Sequence, residues 1–386
     1  MKRDMLIQNG NVLIDNKLIL ADVLVLDGVI AKIKKGIKAE AGIPTYNAQR
    51  NLVLPGFIDV HTHGGVGVDM NNASGEDVKK VSEFFASQGV TGFLPTLLTD
   101  SQERLTQCIH TITEAKKTLS TGAKILGIHM EGPYLCKDYK GAMPESLLQL
   151  PSVEEFEEYQ RVAEGNILRI TVSPEVEGVP EFIEKVSKTG VAVSIGHSGA
   201  DYDRAWRCIH GGAVSATHTF NAMKLMHQHY PAISGAILES DIYCEAICDG
   251  IHLHPGTVRI LLKTKGYNRV VAVTDSIMAA GLGDGKYKLG VNDIVVTNGD
   301  AMLADGTSRA GSTLTMSRAL RNLVQFTGKE PQELSCLLSQ NPADMIGLGH
   351  RKGCIKEGMD ADMVILNKSY HVLATFVEGV KMFDAQ

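Results

Sequence analysis

Leu54-Pro55-Gly56-Phe57-Ile58-Asp59-Val60-His61-Thr62-His63-Gly64 marks a change of style in the chain, and that change decides the fold. Before it, short apolar runs alternate with turn signals: Met5-Leu6-Ile7, then Asn9-Gly10, then Val12-Leu13-Ile14, and a run from Ala21 to Leu26 closed by Asp27-Gly28. Asn-Gly and Asp-Gly between apolar runs are hairpin signals, so this end reads as a small antiparallel β unit. After it, near-continuous apolar runs at 57–60, 92–98, 125–130, 167–172, 191–195, 213–217, 243–248 and 270–273 alternate with helix-like stretches such as 77–88, 103–119 and 180–189. Strands without polar alternation are buried on both faces, which means a parallel sheet. About eight strand–helix units close a TIM barrel.

The C-terminal end returns to the first style, with strand-like 361–366 and 372–376 and a turn at Glu378-Gly379. Neither end has enough apolar residues for a core of its own. The expected fold is α/β: a (β/α)8 TIM barrel over 54–347, with 1–53 and 348–386 joined in one small β-sandwich. The chain of 386 residues is long enough for both.

Composition narrows the function classes. Hydrophobic residues make up 44%, charged residues 21%, and the formal net charge is -6. No basic run offers a nucleic-acid face. No segment approaches the roughly 18 apolar residues of a membrane span, and the N-terminus lacks the apolar core of a signal peptide. The seven cysteines are scattered without a C-x-x-C pair, which suits reduced thiols in a cytoplasmic protein. Cys244 and Cys248 fall in a buried strand and are weak metal candidates.

The chemistry sits where strands end: His61-Thr62-His63, His129-Met130-Glu131, Gly196-His197, Thr217-His218, Asp249 followed by His252 and His254, and Thr274-Asp275. A lone histidine at a strand end is usually structural. Several independent strands ending this way are not, because a barrel brings those ends to one mouth. His61 and His63 stand at i and i+2 and face one side. With His197, His218 and Glu131 they supply nitrogen and oxygen ligands for one or two divalent ions, zinc or another first-row metal such as iron. Asp275 is either a helix N-cap or a carboxylate that takes a proton from water and returns it to a leaving amine. Gly64-Gly65-Val66-Gly67 lacks the third glycine of a dinucleotide loop, since position 70 is methionine, and reads as a flexible barrel loop.

The run from Pro55 to Gly64 resembles the opening motif of the amidohydrolase superfamily, and Lys352-Gly353-Cys354-Ile355-Lys356-Glu357-Gly358-Met359-Asp360-Ala361-Asp362 resembles its closing motif. The stretches between are narrower. His129-Met130-Glu131-Gly132-Pro133-Tyr134, Gly196-His197-Ser198, Thr217-His218-Thr219-Phe220-Asn221-Ala222-Met223, Asp249-Gly250-Ile251-His252, Val273-Thr274-Asp275-Ser276 and Ala310-Gly311-Ser312-Thr313-Leu314 are similar to those of the N-acetylglucosamine-6-phosphate deacetylases. The resemblance implies a TIM barrel with a terminal β-sandwich and hydrolysis of the acetamide of an amino sugar phosphate. It implies a main metal on Glu131, His197 and His218, a second on His61 and His63, and catalysis by Asp275. It also implies substrate contacts at Ala142, Met143, Asn221, Ala222, His252 and Leu314, and a homodimer. Where those deacetylases carry Arg-Glu-Pro-Gly, the arginine binding phosphate, this chain has His229-Tyr230-Pro231-Ala232. His229, with Lys224 and His227, is left to replace it. The alternative is another hexosamine phosphate or an unphosphorylated sugar. A cyclic amidase would place a carboxylated lysine after the fourth strand, where the chain reads Thr171-Val172-Ser173-Pro174-Glu175. A non-catalytic sugar-phosphate sensor would not need both histidine pairs and Asp275.

Overall fold

The switch at Leu54-Pro55-Gly56 is a change of partner. Strand Leu52–Pro55 lies antiparallel against Met363–Leu366, and the next strand, Phe57–Thr62, runs parallel to Val90–Leu98. Gly56 sits at the hand-over, where a Cβ would lie 2.1 Å from Thr91 Cγ2. The computed structural model describes residues 3–38 and 41–385.

The central domain is a parallel (β/α)8 barrel. Its strands follow in order as Phe57–Thr62, Val90–Leu98, Ile128–Glu131, Ile167–Val172, Ala192–Ile195, Ser215–Ala216, Tyr243–Ile247 and Val270–Val273. Closure of the eighth strand on the first comes through Thr62 beside Ser276. There the Asp275 amide donates to the His61 carbonyl at 2.8 Å and the His63 amide to the Ser276 carbonyl at 2.7 Å. The apolar run at 125–130 divides, with Lys124–Ile125 and Ile128–Glu131 both paired to Val90–Leu98. Helix Gly75–Ser87 starts where Ser74 and Asp77 cap each other reciprocally. It buries Val78, Val81 and Phe85 against the barrel.

The two ends meet in one eight-stranded sheet. Met5, Ile7, Val12, Val23, Val25, Val53, Met363, Ile365 and Phe376 share a single core, so the sheet folds over itself. Strands Leu52–Pro55 and Met363–Leu366 form its wall against the barrel. Alternate residues of a strand face opposite sides: Val53, Met363 and Ile365 belong to the sandwich core, and Leu54, Val364 and Leu366 to the barrel core.

Two elements depart from expectation. The Gly64-Gly65 stretch is a buried two-residue strand paired with Val68–Asp69, not a flexible loop. And after the eighth barrel strand comes an unforeseen antiparallel sheet, Gly285–Leu289, Asn292–Thr297 and Asp300–Leu303. Leu289, Ile294, Val296 and Ala301 pack it against Leu98, Leu135, Met143, Ile277 and Ala310. It roofs one side of the barrel mouth, tied down by Gly290 N–H to Asp69 at 2.6 Å and Asn292 Nδ2 to the Ala142 carbonyl at 2.8 Å. Among the described residues no helix is long and apolar enough to cross a membrane. All seven cysteines are free, with Cys244 and Cys248 in the barrel core.

Candidate metal centre and active site

The C-terminal ends of the barrel strands deliver six ligand groups to one place. His61 and His63 come from the first strand, Glu131 from the third, His197 from the fifth, His218 from the sixth and Asp275 from the eighth. Three of these leave their strands with positive φ: His197 at 47°, His218 at 28° and Asp275 at 49°. This backbone is sparsely populated for non-glycine residues and concentrates at functional sites. It breaks the strand's alternation and turns the side chain into the mouth. Asp275 caps no helix, so that reading is set aside.

The other ring nitrogen of three histidines is already committed. His197 Nδ1 donates to the Tyr139 carbonyl at 2.8 Å, and His218 Nδ1 to the Asn221 carbonyl at 3.1 Å. His61 Nδ1 donates to Glu245 Oε2 at 3.0 Å. Carbonyl and carboxylate oxygens only accept, so each neutral ring directs an Nε2 lone pair inward. Two such lone pairs face each other at 3.0 Å between His218 and His197, while His61 and His63 Nε2 stand 3.3 Å apart. Glu131 Oε1 lies 3.2 Å from both His197 and His218 Nε2, and Asp275 Oδ1 lies 3.2 Å from His63 Nε2.

Acceptors aimed at acceptors repel unless a proton or a metal ion joins them; burial lowers the proton affinities of His61 and His63, but the surrounding carboxylates outweigh it, so in the absence of a metal protons take that place. Ligand atoms about 2.0–2.1 Å from one tetrahedral ion stand ~3.3 Å apart, close to these separations. The donors therefore fit a divalent metal. They divide into two sets, Glu131 with His197 and His218, and His61 with His63 and Asp275. The second set gains Asp275, which the sequence offered as a helix N-cap or a proton carrier and not as a ligand. Burial pushes the Glu131 and Asp275 carboxyls up, but the surrounding imidazoles outweigh it and hold both below the usual range.

Under the ligands lies a polar layer. Buried Arg169 pairs with Glu245 and donates to Ser194 Oγ at 3.0 Å and Thr217 Oγ1 at 3.3 Å. Glu245 also accepts the His218 amide at 2.9 Å. His129, a strand-end candidate in the sequence, turns away from the ligands to Thr96 and Thr171. Burial and then Arg169 drive its proton affinity well down. Asp59 receives Thr274 Oγ1 at 2.6 Å, and burial raises its carboxyl to about 7. Sequence reading missed Arg169 and Glu245. Their signal was present: a single charge inside each of the apolar runs Leu168-Arg169-Ile170 and Cys244-Glu245-Ala246.

A pocket of about 260 Å³ opens above the ligands, near the small end of ligand sites at roughly 300–1,000 Å³. His63, Glu131, His197, His218 and Asp275 line its floor, and Ala142, Met143, Asn221, Ala222 and His252 its walls. Asp249 accepts His252 Nδ1–H at 2.7 Å, so His252 Nε2 is the free atom. Burial lowers the proton affinity of His252, but Asp249 more than restores it. His254 instead caps helix Pro255–Lys265.

Two expected contacts stand elsewhere. Leu314 is fully buried in the barrel core. His229 lies on the exposed segment after Met223 and does not line the pocket. Ser308, Arg309, Ala310 and Gly311 line it in their place. Gly311 has φ 61°, and a Cβ there would lie 2.9 Å from the Asp275 carbonyl and 2.4 Å from Ile277 Cγ2.

A metal-ready cradle at the C-terminal mouth of such a barrel defines a class. The Amidohydrolase family model matches residues 52–382, and the chain belongs to that family. Within it, the chain is 34% identical to N-acetylglucosamine-6-phosphate deacetylase of Bacillus subtilis (strain 168), over 85% of this chain and 84% of the relative. The crystal structure of N-acetylglucosamine-6-phosphate deacetylase from Thermotoga maritima superposes with a TM-score of 0.89 at 34% identity, covering 99% of this chain and 100% of that one. An Asp-to-Ala variant of the Mycobacterium smegmatis deacetylase, in complex with N-acetyl-D-glucosamine-6-phosphate, gives 0.90 at 29% identity over 98% and 99%.

Proposed function

We propose that this chain hydrolyses the acetamide of N-acetylglucosamine-6-phosphate, releasing acetate and glucosamine-6-phosphate. The observation that carries this reading is the convergence of two metal-ready donor sets, one of which includes Asp275, on the floor of one monosaccharide-sized pocket. The named relatives above support the choice of substrate.

Glu131, His197 and His218 hold the main divalent ion, and His61, His63 and Asp275 offer a second place. When bound, the ion supplies Lewis acidity, drawing charge from the acetyl carbonyl and acidifying water. Zinc suits this nitrogen-rich set, and iron is the alternative. Asp275 removes a proton from the attacking water as the new C–O bond forms. It then returns that proton to the amine nitrogen as the C–N bond breaks. His252 Nε2, oriented by Asp249, and Asn221 with the Ala222 backbone hold the sugar. Ala142 and Met143 close the acetyl side with apolar surface. Exposed Leu225, Met226 and Tyr230, on the segment that follows Asn221 and Ala222, at 63%, 61% and 72% exposure, support a homodimer. Seven free cysteines suit a reducing cytoplasm.

The test is acetate release from N-acetylglucosamine and N-acetylgalactosamine, each with and without the 6-phosphate. Preference for N-acetylglucosamine-6-phosphate is expected. Preference for another of the four would keep the chemistry and replace the substrate. No acetate from any of them, with metal bound, would sink the reading.

A further inference from the structure

The pocket has a single permanent cation among the described residues that line it: Arg309. Every other basic liner is a histidine on the metal floor or His252. Lys224, His227 and His229 lie on the exposed segment after Met223, and none of them lines the pocket of its own subunit. We infer that Arg309 is the anchor for the substrate's phosphate, an inference that rests on the phosphorylated-sugar reading above.

The geometry of the guanidinium supports this role. Arg309 sits on the returning arm of a hairpin, opposite Met302. Its Nε and Nη2 each donate to Asp300 at 2.9 Å, one to each carboxylate oxygen. A guanidinium has five N–H donors. The side-on pairing uses two and leaves Nη1 and the outer hydrogen of Nη2 for a second oxyanion. Asp300 thereby orients the fork without filling it. A guanidinium grips phosphate through two parallel hydrogen bonds, which a neutral imidazole cannot do. As a surface ion pair alone the couple contributes little, since Arg309 is 46% and Asp300 28% exposed.

Position along the chain fits as well. Two residues after Arg309, Gly311 packs on the Asp275 backbone. The same extended segment therefore passes the reacting end of the pocket and carries the guanidinium toward its rim. Arg309 and His252 line the same pocket, and the guanidinium is within electrostatic reach of both His252 and Asp249.

The experiment compares wild type, Arg309→Gln and Arg309→Lys. For each, kcat/KM is measured on N-acetylglucosamine with and without the 6-phosphate. Glucosamine-6-phosphate binding is measured by calorimetry at two salt concentrations. Arg309→Gln is expected to cut the preference for the phosphorylated sugar by about 10–100-fold, mainly through KM, with Arg309→Lys recovering part of it. Glucosamine-6-phosphate affinity should fall by a similar factor and lose most of its salt dependence. An unchanged preference, or equal losses on both sugars, overturns the assignment. The calorimetric arm reads the anchor without turnover. A wild type that binds glucosamine-6-phosphate through Arg309 yet releases no acetate would break the functional reading and leave the anchor standing. Equal binding by wild type and Arg309→Gln would do the reverse.

Discussion

Two clusters of buried charge hold this molecule together, and they are built on opposite plans. At the junction of sandwich and barrel, Lys352 is 7% exposed and reaches Asp362 at 2.7 Å and Asp360 at 2.9 Å. Arg351 adds a second cation to Asp360 at 3.1 Å, and Glu378 takes Lys124 and, at 3.0 Å, Arg3. Glu378 also donates its amide to Asp362 at 2.9 Å. Each carboxylate there meets a permanent cation. At the barrel mouth only Glu245 does, through Arg169. Glu131 and Asp275 have imidazoles for neighbours, and His63 Nδ1 is buried without a hydrogen-bond partner. One cluster is neutralised by the chain itself and ties the two termini to the barrel. The other answers Glu131 and Asp275 with imidazoles alone, whose protons a bound metal ion would replace. Burial of charge alone does not mark a functional site; the missing counter-charge does.

Substitutions can break that contrast, beginning with the largest effect. Asp275→Asn should lower kcat by about 10²–10⁴-fold. Metal analysis should find the Glu131 set still loaded, with any second equivalent reduced. Turnover near wild type would remove Asp275 from the chemistry. Lys352→Met should act on stability instead, destabilising by about 3–5 kcal/mol because buried Asp362 loses its cation and Asp360 keeps only Arg351. Denaturant titration reads this directly, while kcat of the folded enzyme should hold. A stability unchanged by this substitution would dissolve the contrast. The smallest effect on the metal site is expected at Glu245→Gln, which weakens the acceptor that fixes the His61 ring; because it also removes the counter-charge of buried Arg169, folding is checked first by denaturant titration. Metal affinity should fall by about 10–100-fold, measured by competition with a chelator. Unaltered affinity would mean that His61 is oriented by packing alone.

The barrel was legible because eight apolar runs spaced by amphipathic segments have few other ways to bury themselves. The ligands were legible because histidines and acids recur where those runs stop. The three-stranded roof was not. Its strands Gly285–Leu289, Asn292–Thr297 and Asp300–Leu303 are half-exposed and short, so their signal resembles that of a polar loop. Arg309 was missed with it, because nothing local sets a surface arginine apart until the roof carries it over the pocket. His229 was chosen by its place in a motif, and it does not line the pocket of its own subunit.

Sequence by itself determined the layout: which residues form strands, where each strand ends and which donors stand at those ends. Periodicity and residue type are local properties, so the chain carries them in order. Tertiary structure alone decided which nitrogen of each histidine faces inward, which carboxylates stay without a cation and which arginine overlooks the sugar. Those depend on partners far away in the chain, such as Glu245 for His61, 184 residues apart, and on backbone turns at His197, His218 and Asp275. Only the closed barrel holds them in place.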